Sequence, residues 1–370
     1  MKLIISTCGT STLTNLADDA SRKLVTKYAN VAADTDVPLD DRKPLLDLLG
    51  SARDTLKAAD ILSTKRASAE LNGILSLAGD HTPLDSRDVH ILLHTDTWLG
   101  TAAAEIVEST LINFGASPQL ERVASLSTRS RDAFDDGLRH LVKWAAETLP
   151  GYRDARYKIL FNLVGGFKSV QGFMQTLGMF YADEIVYIFE SGSELLRIPR
   201  LPVDLDSAAQ KIMTDHARVF RRLDILGPQP FASNLANIPE SMLERADDIA
   251  DLSPWGKLIW NAFKPALYGM KLLDSPSDRI RFTDAFARDA AGLERDRFIF
   301  LNQRIDDLMR YLESADKPNP KRLDVKKLTG KPMPRSTHEA DAWADADCRR
   351  IFFHHEGDAI VLDRLQSPLH

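Results

Sequence analysis

Phe161–Lys168 reads FNLVGGFK and closes the apolar run Tyr157–Phe161. A buried strand that ends at once in Gly165 and Gly166 marks the point where an open α/β sheet lets a ligand reach backbone amides. The residues that follow extend the pattern. Ser169–Tyr181 (SVQGFMQTLGMFY) has helical spacing and Asp183–Glu190 (DEIVYIFE) is again a strand, so strand, glycine turn, helix and strand form one right-handed βαβ unit. Asn162 and Lys168 flank the turn. They offer one amide and one cation to whatever the glycines admit, a pair suited to a phosphodiester backbone.

Upstream, Lys2–Ser6 reads as a short buried strand and Thr7–Asn15 (TCGTSTLTN) as a hydroxyl-rich turn around Gly9. Ser6, Thr10, Ser11 and Asn15 suit a ligand loop there and equally suit helix capping. A helix over Ala20–Ala29 and a helical hairpin over Lys43–Leu77 follow, then a strand, Asp88–His94 (DVHILLH). Its outlet, Thr95-Asp96-Thr97-Trp98, leads into a helix over Ala102–Phe114, which gives a second polar loop at a strand's carboxyl end. These two loops and the glycine turn are expected to ring one crevice. Gln119–Val123 reads as a strand, Ser130–Thr148 as a helix, and Leu195–Val203 (LLRIPRLPV) as an extended segment leaving the domain.

Composition sets the class. The chain has 370 residues, 44% hydrophobic and 27% charged, enough for more than one core. A net charge of −6 argues against a protein that coats nucleic acid non-specifically, although a local basic patch survives that average. Cys8 and Cys348 lie far apart in the sequence, so neither a disulfide framework nor a cysteine metal site is expected, and a reducing cytoplasm fits. No signal peptide and no membrane span are read.

The Ser/Thr loop after the first strand, the glycines and lysine of NLVGGFKS, and the strand pair ending YIFESGSELLRIPRLP resemble the CARF domain. That domain is the Rossmann-like sensor of cyclic oligoadenylates in type III CRISPR systems. The resemblance covers residues 1–205. It implies a homodimer that binds one cyclic messenger across its two-fold axis, with cyclic tetra-adenylate favoured, as an allosteric activator and with no cofactor. It places Thr10, Ser11 and Asn15 in the first ligand loop and Asn162, Gly165, Gly166 and Lys168 in the second, with Thr95, Asp96 and Trp98 at a further strand end.

Residues 206–277 read as a helical middle segment: Ala208–Leu223, Pro239–Leu252 and Trp255–Leu273. Residues 278–370 then show a strand, a helix hairpin and a twisted antiparallel sheet, ending in the hairpin Ile351–His355, Glu356-Gly357-Asp358, Ala359–Leu365. With KLTGKPMP before it and Arg350 preceding Ile351-Phe352-Phe353, this small α+β region resembles the RelE superfamily of toxin ribonucleases. The resemblance implies metal-independent cleavage of messenger RNA on the ribosome, by attack of a ribose 2′-hydroxyl on the adjacent phosphate.

That chemistry needs a base, cations for the phosphorane and an acid. Arg350 is assigned to the scissile phosphate, Arg335 to a second clamp or acid, and His338 or His355 to proton transfer. Lys326, Lys327, Lys331 and Arg349 are assigned to the RNA backbone. His354 and His355 face opposite ways in a strand, as do Arg349 and Arg350. Where better-known members place lysines, this chain has His338-Glu339-Ala340-Asp341-Ala342-Trp343. This permits either a histidine-based variant or a domain that binds ribosomes without cutting. Two further alternatives stand beside these: a metal nuclease on His354, His355, Glu356 and Asp358, whose spacing matches no closed metal pattern, and a ligand-responsive transcription regulator, which would need a basic recognition helix that Ala208–Leu273 lacks.

Overall fold

The computed structural model describes residues 1–370 except 80, 125–130, 167, 189–193, 203, 231–234, 236, 330–332 and 370, and except the side chains at 131, 132, 168 and 169. The chain divides into two compact units, Met1–Val203 and Asp204–His370. The segment read as a separate middle piece lies within the second.

In the first unit β1 (Lys2–Cys8) is followed by α1 (Ser11–Leu16), α2 (Asp19–Lys27), a 3-10 turn at Asp34–Asp36, α3 (Leu39–Ala58), α4 (Ile61–Ala67) and α5 (Ala69–Leu77). Then come β2 (Val89–Thr95), α6 (Trp98–Asn113), β3 (Pro118–Val123), α7 (Arg131–Asp154), β4 (Lys158–Asn162), α8 (Lys168–Tyr181), β5 (Glu184–Ile188) and β6 (Leu195–Pro199). The sheet order is β3-β2-β1-β4-β5-β6, parallel except for β6. The order of strands along the sheet therefore reverses between β1 and β4, the kind of switch point at which α/β sheets bind ligands outside the strands' carboxyl ends. Side chains alternate across the sheet as the pleat demands. Ile4, Leu160 and Val186 join the core formed with α3, α5 and α6. Phe161 and Ile185 instead lie against Gly178 of α8.

Leu195–Val203 does not simply leave the domain. β6 pairs antiparallel with β5 from Ile188↔Leu195 to Glu184↔Pro199, because the open edge of β5 needs partners and an edge strand tolerates proline. Helix α6 starts earlier than its apolar spacing suggested, since the Thr97 side chain accepts from the Gly100 N–H and caps it.

The second unit contains α9 (Ser207–Asp215), α10 (Ala217–Leu226), β7 (Gln229–Pro230), β8 (Leu243–Ala246), β9 (Ile249–Leu252), α11 (Pro254–Tyr268), β10 (Ile280–Phe282), α12 (Asp284–Ala290) and α13 (Arg295–Glu313). It ends with β11 (Lys326–Lys327), β12 (His338–Trp343), β13 (Arg349–Glu356) and β14 (Ala359–Gln366). The strand, helix hairpin and sheet order read from the sequence is present. The sheet is mixed rather than purely antiparallel: in the order β10-β14-β13-β12-β11, β10 runs parallel to β14. Leu301, Ile305 and Leu308 of α13 share its core with Ala340, Ile351, Phe353 and Leu362.

The expected helix over Pro239–Leu252 is instead a hairpin, with Leu243↔Leu252 and Ala246↔Ile249 paired and Asp247 at φ 51° in the turn. Leu243, Ala250 and Leu252 are buried while Glu244 and Asp251 take the other face, a period-2 pattern that its helix-forming residue types obscured, and Arg245 donates to the carbonyls of Leu235 and Ile238. Around it, Phe220, Trp260 and Tyr268 form a second small core, with Phe220 and Trp260 stacked at 5.4 Å.

Candidate functional site

The loops after β1 and β4 meet at the switch point, and their approach requires glycine. A Cβ on Gly9 would sit 3.0 Å from the Gly166 Cα, and Gly166 itself has φ +101°, with Thr7 Oγ1 2.8 Å from where its Cβ would lie. The Thr7 hydroxyl donates to the Gly165 carbonyl at 2.6 Å, and Gln171 Nε2 donates to the carbonyls of Leu163 and Gly165 at 3.1 and 3.0 Å. The glycine turn is thus held from the strand on one side and from α8 on the other. A narrow cleft beside it is lined by Thr7, His94, Thr95, Gly166, Val170 and Met174.

Beneath this junction lies Glu70 of α5, fully buried. Its carboxylate accepts from the Gly9 N–H at 3.0 Å, from the Ser68 hydroxyl at 2.9 Å and from the Ser11 hydroxyl. A Cβ on Gly165 would fall 2.3 Å from Glu70 Oε1, so this carboxylate underpins both loops. Sequence reasoning missed it. The available signal was a lone charged side chain in the mostly apolar AELNGILSL, directly after a serine able to cap the helix. Nearby, burial and then the Glu70 charge push the Cys8 thiol well above its usual value, so it is not a thiolate nucleophile.

Several residues read as ligand-binding are engaged in holding the fold. Asn162 is buried, and its Nδ2 donates to Ser6 Oγ at 3.0 Å and to the Glu70 carbonyl at 3.1 Å. Its side chain ties β4 to β1 and α5 rather than facing the crevice. Ser11 is bound to Glu70, and Asn15 reaches the Ala67 carbonyl at 3.4 Å. Thr95 is buried and hydrogen-bonds Thr97 Oγ1 at 2.9 Å. Trp98 is half-buried against the core, with its N–H on the Val31 carbonyl. Thr10, Asp96 and Gly166 are half-buried at the strand ends. Lys168 opens α8, and its side chain lies outside the described residues.

In the second unit the four residues read as catalytic do not converge. Residues 350 and 355 are an odd number apart on β13, and the ladder's extra residue, Asp363, lies on β14, so Arg350 and His355 point to opposite faces. Arg350 is held by two carboxylates of β12, in an ion pair with Glu339 and at 3.1 Å from Asp341. The guanidinium expected at the scissile phosphate is thus engaged by carboxylates of the neighbouring strand. Burial raises the Asp341 carboxyl's pKa, although Arg350 works against it.

On the opposite face, His338 of β12 and His355 of β13 touch, with ring centroids 4.8 Å apart at 83°. His338 also stacks on Phe353 at 5.5 Å, and Lys327 is its register partner on β11. Burial first, then the nearby His355 and Lys327, lower the pKa of His338. His354, on Arg350's face, is bound by Asp363 at 2.9 Å and approached by Glu356, and the Asp363 hydrogen bond raises its pKa.

Of the residues assigned to RNA, Lys326 pairs with Asp324, Lys327 is exposed, and Arg349 lies 5.8 Å over the Trp343 ring. Lys331 lies outside the described residues, and Arg335 is exposed three positions before β12.

Among the described residues no group of three or more His, Cys, Asp or Glu side chains is arranged to hold a metal ion. None of the described helices is long and apolar enough to cross a membrane. Residues 65–201 match a family model described as CRISPR-associated protein (Cas_APE2256). The match runs from α4 through β6, taking in Glu70, the strand end at Thr95 and the glycine turn, and it links the first unit to CRISPR-associated proteins.

Proposed function

We propose that this chain is a messenger-controlled ribonuclease of type III CRISPR immunity. In this reading the first unit binds a cyclic oligoadenylate, cyclic tetra-adenylate by preference, across a homodimer. The second unit, RelE-like, cleaves messenger RNA on the ribosome without a metal and arrests translation.

The observation that carries the reading is the CRISPR-associated match over residues 65–201, which includes the glycine turn that closes on Gly9 at the β1/β4 switch point. A phosphodiester ring suits such a place, because glycines let its phosphates approach backbone N–H groups. The imidazole pair of the second unit supplies groups able to move protons near neutral pH.

A second reading, ribosome binding without cleavage, is favoured by one observation: Arg350, the cation expected at the scissile phosphate, is already satisfied by Glu339 and Asp341. A translation reaction run with and without cyclic tetra-adenylate or cyclic hexa-adenylate, followed by sequencing of messenger RNA ends, separates the two. Messenger-dependent cuts on translating ribosomes are expected. Translation arrest without new RNA ends would replace the ribonuclease with the binding protein.

A further inference from the structure

The three histidines closest to the C-terminal hairpin have unequal surroundings. His354 is accounted for by its carboxylate partners, whereas His338 and His355 meet ring to ring at 4.8 Å near the exposed end of the sheet. Nothing in the packing demands imidazoles there: Phe353 already fills the core beneath them, and His355 is exposed. Lys327 stands beside His338 in the next strand and, among the described residues, has no carboxylate partner, while the adjacent Lys326 is paired with Asp324.

We propose that His338 and His355 form the proton-transfer pair of an RNA-cleaving site on the face opposite Arg350, with His338 as general base, His355 as general acid and Lys327 as the cation for the scissile phosphate. The inference rests on the ribonuclease reading above and assigns its groups. The base must be neutral, and His338 is the half-buried member, held below its usual pKa by burial and by the neighbouring His355 and Lys327. The His338 Nδ1 lies 2.9 Å from the Thr337 hydroxyl, and the proposed tautomer carries the proton on Nδ1, in which Nε2 is the acceptor a base needs. His355, in ring contact with His338 and exposed to solvent, is the member left to serve as the acid.

The step then balances. His338 takes the proton from the ribose 2′-hydroxyl, the 2′-oxygen bonds to phosphorus, the bond from phosphorus to the 5′-oxygen breaks, and His355 delivers its proton to that oxygen. The products are a 2′,3′-cyclic phosphate and a 5′-hydroxyl, and the pair ends with its proton exchanged. No oxidant, reductant or further reactant is required. The charged groups around the pair are Lys327 on β11 and, at the end of β13, Glu356, which is engaged by Arg281 and His354.

The test is the full-length protein, activated with cyclic tetra-adenylate in a translation reaction, with cleavage rates measured from pH 5.5 to 9. Wild type is expected to give a bell-shaped profile. His338→Gln should lose the acid limb and His355→Gln the alkaline limb, each with a rate about 10²–10⁴-fold lower and with messenger binding unchanged. His338→Phe keeps the stacking on Phe353 and should be equally inactive, which separates chemistry from folding. His354→Gln, on the other face, should cleave as wild type does. Wild-type rates and an unaltered bell in both His338→Gln and His355→Gln would overturn the pair while leaving the ribonuclease standing. So would loss of cleavage in His354→Gln alone. A wild type that never cuts would overturn the ribonuclease reading and the pair with it.

Discussion

Glu70 illustrates how much one buried side chain decides. A carboxylate removed from water needs hydrogen-bond donors, and here they come from the Gly9 amide, from Ser11 of α1 and from Ser68, the residue capping α5, so the carboxylate organises the turn after β1. Glu70→Ala leaves those donors without a partner and should lower the stability of the first unit by about 2–4 kcal/mol, read as an earlier first transition in urea. His90 makes a pH-dependent counterpart. It is buried on β2, its Nδ1 has no partner among the described residues, and burial pushes it down to about 4. The unfolded chain takes up this proton first, near pH 6.5. The stability contribution is therefore complete above that value and is lost as pH falls toward 4, by about 3 kcal/mol. His90→Phe should remove that part of the acid sensitivity of the first-unit transition.

Among the elements, the β8–β9 hairpin is where local reading and structure diverge most. Leu243-Glu244-Arg245-Ala246 contains good helix formers, but its partner Ile249–Leu252 and the two-residue turn at Asp247-Asp248 impose strand pairing. Asp247 sits at φ 51°, a region that aspartate tolerates and a β-branched residue resists. Asp247→Val is expected to destabilise the second unit by about 1–2 kcal/mol, measured by chemical denaturation, while Asp247→Gly should not. β13 carries the opposite lesson. Its alternation was legible in the sequence, and the placement of His354 against His355 and of Arg349 against Arg350 followed from it. That Arg350 and His355 lie on opposite faces was equally implied by their spacing. What strand periodicity left open was which face holds the acids that neutralise Arg350 and which holds His338.

For the molecule as a whole, the segment at residues 206–277 is part of the second unit because its charges are shared with α13. Arg221 is fully buried and bonds Asp306 at 2.7 Å, Tyr268 donates to Asp306, and Asn302 bridges Tyr268 and Lys271. Asp224 holds both Lys257 and Lys264, which keep its carboxyl well below the usual range despite burial. A fragment spanning residues 278–370 would lose the partners of Asp306 and Asn302, and a single uncompensated buried charge costs about 3–5 kcal/mol, comparable to a small domain's whole stability. It is expected to be unfolded by circular dichroism and proton NMR, whereas 204–370 should fold; a folded 278–370 would show the middle segment to be a separate piece. Periodicity and glycine placement, which are local properties of the chain, were enough to reveal the parallel sheet and the helix hairpin with its strands. The pairing partners were not legible there. Glu70 lies 61 positions from Gly9, and Arg221 lies 85 from Asp306. Which distant groups meet is decided only when packed helices and strand registers bring them together, because a buried charge takes whatever donors the closed core places within reach.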